Sequence, residues 1–365
     1  MTRSFAYCLL AVALSACGGV EPETSHVEQP GINMQGINMQ GISLQGISLQ
    51  GMNMLGYRFA GATLGGVPLV DLRVMRGELV AGHDGSMLRG TALVGAQLVA
   101  ETRDITQNPP VTTLVTYRIS AIAAEDDRYD PTDTGHTFLY TLEQFVPDDG
   151  TWHAACPADQ DGRSVAIPLR ATWNEHGDRV ESSSLFTLGC TTGVIAKCYR
   201  WGYRPWIDEF GNLVPYHQTC TRVARADYCG DGTPHTHDGT LINIWDRLPS
   251  PGPIQSHGGL LPPLGMTFEA GWNTEGAVCL SHSRWLLDDA LLLAALCPDR
   301  LVPPGLLGNT VCDTVPAVLG LDANARLFDE TNLTRDWHRD AGSVHAYAMP
   351  PAHGRGALAG IGFAW

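Results

Sequence analysis

The stretch HQTCTRVARADYCGDGTPHTHDGT, residues 217–240, sets the reading of the fold. Its first half suits a short helix over 217–229 that ends at Gly230, a natural left-handed stop. The remainder is punctuated by glycine, Thr-Pro and Asp-Gly, which predicts a loop. Asp227 is placed to tie down the helix end or to pair with Arg222 or Arg225. His235 and His237 lie two apart and would share one face of a strand, which suits two metal ligands. Asp231 or Asp238 would complete a divalent-metal site, and such an ion would activate water for hydrolysis. No HExxH is present and the aspartates do not fit an EF-hand, so a satisfied polar turn is the simpler reading. Cys229 with Asp227 and His235 or His237 would make a thiol nucleophile and its base. In an oxidising compartment a disulfide claims that sulfur instead.

Around this stretch, TTLVTYRISAI (112–122), TFLYTLEQF (137–145) and RSVAIPLRATWN (163–174) read as strands. Turn-rich EDDRYDPTDTG, VPDDG and NEHGD separate them. SRWLLDDALLLAALC (283–297) is the strongest helical run and ends at Pro298. The mixture is that of an α+β fold, mainly antiparallel. YRWGYRPW (199–206) groups two tyrosines and two tryptophans with two arginines. Beside Cys198 it reads as a core cluster; an exposed Trp201 and Trp206 would instead make a shelf for an envelope glycan. GCTTG (189–193) has the outline of a nucleophile elbow, with threonine in place of serine and no evident strand-to-helix context. No phosphate-cradling loop is present.

Toward the front, glycine recurs every five residues from Gly31 to Gly66. An apolar series keeps step: Met34, Met39, Leu44, Leu49, Met54, Phe59, Leu64, Leu69, Val74 and Leu79. A second series, Ile32 to Val67, lies two positions earlier. Asp84 breaks the phase, which resumes at Leu88, Leu93 and Leu98. Period five fits no helix face, whereas alternation followed by glycine is short-strand chemistry. Residues 31–100 resemble pentapeptide-repeat proteins, which wind a four-sided β-helix. Such a stack would be about three coils tall and would need a neighbour to cap it. The alternative is a spacer without order.

The first residues, MTRSFAYCLLAVALSAC, carry Arg3 and a short apolar run, the pattern of an export signal too short for a membrane span. LSAC before Gly18 resembles a bacterial lipobox, which implies cleavage before Cys17 and lipid on its sulfur. Residues 1–16 are then the signal and 17–30 a polar tether that leaves the chain on the membrane. Of the ten cysteines, eight remain for the mature body: Cys156, Cys190, Cys198, Cys220, Cys229, Cys279, Cys297 and Cys312. An even set in an exported chain suggests disulfides, and spacing alone cannot choose the pairs. A local Cys297–Cys312 link is one guess. The absence of C-x-x-C counts against a cysteine zinc cage or a thioredoxin-like site. A net charge of −15 argues against nucleic acid.

FTLGCTTGVIAKCYRWGYRPW (186–206), the opening stretch and FEAGWNTEGAVCLSHSRW (268–285) together resemble the bacterial ADYC domain. The signature tetrapeptide is Ala226-Asp227-Tyr228-Cys229. The resemblance covers roughly residues 110–300 within a globular unit over 101–365. It implies a fold unit, no activity, and carries over no catalytic residue. The expectation is therefore a lipid-anchored outer-membrane protein, facing the periplasm or the surface, that binds or supports an envelope protein or glycan. No cofactor is predicted; the alternative is the metal-dependent hydrolase.

Overall fold

The computed structural model describes residues 47–48, 57–104, 111–125, 137–159, 161–174, 176–182, 186–207, 210–236, 242–248, 253–255, 266–284, 297 and 325–331. Along the chain run β1 (Ile47–Ser48), β2 (Tyr57–Leu64), β3 (Val67–Pro68), β4 (Val70–Met75), β5 (Glu78–His83), β6 (Ser86–Arg89) and β7 (Gln97–Asp104). There follow β8 (Val111–Ala124), β9 (Phe138–Val146), β10 (Thr151–Ala154), β11 (Val165–Leu169), β12 (Ala171–Trp173), β13 (Arg179–Glu181) and β14 (Thr187–Cys190). Helices α1 (Val194–Arg200) and α2 (Val214–Arg225) precede β15 (Ile242–Asp246), β16 (Thr267–Asn273), β17 (Gly276–Leu280) and β18 (Leu327–Thr331).

Every pairing among the described residues is antiparallel, which agrees with the strand runs read from the sequence. The main sheet has nine strands in the order β1-β14-β11-β9-β8-β7-β2-β3, with β10 paired to β9. It curls until β1 comes to lie close to β2. Small sheets β4-β5-β6 and β12-β13, and the four-stranded β15-β18-β16-β17, complete the fold.

Over residues 57–104 the glycine-punctuated stretch forms antiparallel hairpins, not a β-helix. The reason lies in the turns. Arg76 and Gly77 both have positive φ (50° and 76°), as do Asp84 and Gly85 (47° and 76°). Two consecutive positive φ angles make the type I′ turn that reverses a twisted strand. A glycine every five residues serves such reversals as well as it serves the corners of a coil. Residues 31–46 and 49–56 of the repeats lie outside the described residues. The inward series nevertheless marks the core: Leu69, Val74, Leu79, Leu93 and Leu98 are all buried.

Two cores flank the main sheet. Leu72, Val74, Leu79 and Ala81 of the β4-β5-β6 sheet pack with Leu98, Tyr117, Ile119, Tyr140 and Leu142. Val165, Ile167 and Leu169 of β11 pack instead with α1, α2, Ile244 and Trp272. Strand β11 is buried along its whole length, as a strand covered on both faces must be. The Tyr140 hydroxyl accepts the Leu79 backbone N–H at 2.9 Å, fixing β5 on β9.

Disulfides join Cys156 to Cys190, Cys198 to Cys220 and Cys229 to Cys297, with Cα separations of 5.5, 5.8 and 5.3 Å. Cys279 is disulfide-bonded as well. The local Cys297–Cys312 guess is thus corrected: Cys297 reaches back to the residue that follows Tyr228. Cys312, Cys17 and the helical run over 285–296 lie outside the described residues.

Candidate functional site

Helix α2 ends earlier than the sequence suggests. Ala226 itself takes the left-handed conformation (φ 50°), and its N–H donates to the Val223 carbonyl while Asp227 N–H donates to that of Arg222. These are the two bonds of a Schellman stop. Gly230 is left for another task. Its φ is 71°, and a Cβ there would run into the Glu275 carbonyl of the β16–β17 turn.

The next three residues each bind a different part of the fold. The Asp227 carboxylate pairs with the Arg222 guanidinium and accepts the Gly232 N–H at 3.1 Å; Arg225 lies at 3.9 Å. Arg222 donates onward to the carbonyls of Thr274 (3.2 Å) and His176 (2.6 Å). Burial pulls the Arg225 guanidinium down to about 10, against the attraction of Asp227. Tyr228 stacks on Trp272 with ring centroids 5.2 Å apart and donates its hydroxyl to Glu269 at 2.9 Å. Cys229 forms the bridge to Cys297.

Arg284 sits at the centre of this frame. Its guanidinium donates to both oxygens of Glu269 (3.0 Å each), to Asp329 (2.9 Å) and to the Val223 carbonyl at the end of α2 (2.9 Å). Asp329 also accepts Trp272 Nε1–H at 2.8 Å. All four side chains are sealed from solvent. Burial opposes the charge on Arg284, but the Glu269 and Asp329 carboxylates outweigh it and hold the guanidinium above its usual range. Burial, then the Glu269 carboxylate, push the Asp329 carboxyl well above the carboxylate range. A charge cluster this enclosed braces the fold.

The residues proposed from sequence fall as follows. His235 is buried with its ring 5.5 Å from that of Tyr228, and its backbone N–H donates to the Arg225 carbonyl. Asp231 is exposed, and its carboxylate accepts the Thr233 N–H. His237 and Asp238 lie outside the described residues. Among the described residues no group of three or more His, Cys, Asp or Glu side chains is gathered for a metal. The thiol-nucleophile reading of Cys229 is overturned by its disulfide. Thr191 does stand between strand β14 and helix α1, but its hydroxyl turns inward to Asp159 and the Val165 carbonyl. Trp201 is buried, 5% exposed, so the two-tryptophan shelf is corrected as well. Large rings at this position fill the space between α1, α2 and β11. Trp206 alone remains half-buried, against Tyr199 at 4.7 Å.

Trp206 lines a half-open cleft of about 300 Å³ with Arg76, Arg170, Arg179, Glu181 and Tyr199. The β4–β5 turn lies on the Trp206 indole so closely that a Cβ on Gly77 would stand 2.5 Å from the ring. Strand β13 brings Arg179 and Glu181, Arg170 stands just before β12, and α1 supplies Tyr199. Arg179 is the fixed point. Its cross-strand partner is Trp173, over which the guanidinium sits at 5.4 Å. The Arg179 backbone N–H is held by Gln218 at 3.0 Å, and Nη2 donates to the Arg170 carbonyl at 3.3 Å. Its Nε pairs with Glu181. The sequence reading misses this cluster. The R-V-E alternation over 179–181, which sets Arg179 and Glu181 on one face, is the signal that points to it.

Behind Arg179, His217 is fully buried. Its Nε2 contacts the Ile195 carbonyl at 3.0 Å and its Nδ1 faces Arg179 Nη1 at 3.4 Å. A cation donating toward Nδ1 requires the neutral ring. Burial, reinforced by Arg179, holds His217 well below its usual range. The unfolded chain then binds a proton that the fold refuses, so stability falls as pH drops below about 6.5. For one such group the slope reaches about 1.4 kcal/mol per pH unit. Urea midpoints between pH 7.5 and 5.5 are expected to fall, with a smaller fall in His217→Asn; equal slopes in both proteins would refute the assignment.

Comparison with known proteins gives one family: the model described as the ADYC domain matches residues 90–286, more than half of the chain. No curated protein and no solved structure matches.

Proposed function

Because this chain belongs to the ADYC domain family, and its signature residues are spent on the interior, we propose that its function lies in binding at the arginine-lined cleft. It acts as a binding module of the bacterial cell envelope, held to the membrane by lipid on Cys17. The observation that carries this reading is the cleft itself: guanidinium groups beside aromatic rings, with Arg179 on a hairpin locked to α2. Disulfides in the body support an oxidising, exported setting. The enclosed Arg284 cluster and the disulfide at Cys229 support binding over catalysis.

Hydrogen exchange of the purified full chain tests the cleft, with a soluble hydrolysate of bacterial envelope glycan as probe. Slower exchange is expected in residues 74–77, 170–181 and 199–206; unchanged exchange there sinks the reading. Cys17→Ser is expected to release the exported chain from the membrane fraction. Retention in that fraction would remove the lipid anchor.

A further inference from the structure

We infer that the cleft selects a carboxylate-bearing sugar, a uronic acid residue of an acidic glycan; this rests on the cleft being the ligand site. The charge balance comes first. The chain carries −15 overall, yet the cleft sets three arginines against the single carboxylate of Glu181. A local excess of guanidinium on an acidic protein concentrates anions at that spot.

Glu181 then indicates which anion. Its carboxylate is 54% exposed at the rim and lies on Nε of Arg179, a side chain only 4% exposed. A guanidinium is a planar fork that matches a carboxylate. Glu181 therefore occupies the place a ligand carboxylate would take, and an arriving one would displace it toward solvent. Arg170 stands beside this position, its Nε donating to the Ser182 carbonyl at 3.2 Å. The first turn of α2 reaches the cleft at Val214 without offering a phosphate nest. Val214 N–H is taken by Asn212 at 3.1 Å, and Pro215 has no N–H.

The rest of the lining specifies a body with an apolar face. Val74, Pro205 and the ring of Trp206 add apolar surface to a lining that also carries the guanidinium groups. A pyranose ring offers C–H bonds on one face and polar groups at its edge, so it can meet both kinds of lining. A cleft of about 300 Å³ stands at the small end of ligand sites, room for one or two sugar rings.

Calorimetric titration of the purified full chain tests this with three probes: digalacturonate, a neutral galactose disaccharide and inorganic phosphate. Digalacturonate is expected to bind at least tenfold more tightly than either of the others. Arg170→Ala, at an exposed position, should weaken it about tenfold through loss of a charged hydrogen bond. Glu181→Gln should tighten it by freeing Arg179. Equal or tighter binding of the neutral sugar or of phosphate overturns the inference, as does unchanged affinity in both variants. Absence of heat from digalacturonate also overturns it; the hydrogen-exchange result with the hydrolysate then decides the cleft reading separately.

Discussion

Arg284→Met is expected to lower the unfolding free energy by about 3–5 kcal/mol, the usual penalty for removing one partner of a buried ion pair. The substitution leaves Glu269 and Asp329 facing each other without a cation, and it takes from the Val223 carbonyl one of its two donors, the other being Ala226 N–H. Urea unfolding under non-reducing conditions gives the number. Adding Glu269→Gln and Asp329→Asn should recover part of the loss, since the uncompensated charge is then gone. A loss below about 1 kcal/mol in Arg284→Met, the range of exposed pairs, would show that the cluster is wet and not a brace.

The second large effect belongs to the Cys229–Cys297 bridge. It closes a separation of 68 residues. A link of that span contributes about 4 kcal/mol in the chain-entropy account, between the values for short and very long loops. The double variant Cys229→Ala, Cys297→Ala is expected to lose that amount in non-reducing urea titrations. Its melting midpoint should also become less sensitive to reductant than that of the parent. A midpoint that matches the parent would mean that Tyr228, Trp272 and Arg284 hold the region without the sulfurs.

These two effects converge on one place, and only part of it is legible in the sequence. The strands over 112–122 and 137–145 declare themselves through β-branched and aromatic residues between turns. The pairing of Asp227 with Arg222 is one of the alternatives the sequence offers, although five residues separate them and the left-handed turn at Ala226 brings them together. The step-five apolar series points correctly to Leu69, Leu79 and Leu98 as core even though the coil it suggests does not form over 57–104. Glycine cannot reveal which backbone it serves: Gly77 makes a reversal, whereas Gly61 lies at a register shift within β2. The helix stop reads wrongly because Ala226 accepts a strained conformation that local chemistry reserves for glycine. Its burial and the Schellman bonds offset that strain. Arg284 is invisible in sequence because its partners, Glu269 and Asp329, are brought from 15 and 45 residues away by strand pairing. The cleft is harder still, since Arg76, Arg170 and Trp206 share no local pattern at all.

The curl of the main sheet has a bearing on solubility. An open sheet of this width would offer two long rows of unpaired amides to any neighbouring chain. Here β1 lies against β14 at one end of the strand order and close to β2 near the other. Among the described residues, Ile47 and Ser48 make that clasp. Damage confined to this small latch would uncover the flank of β14 and open it to pairing with another chain.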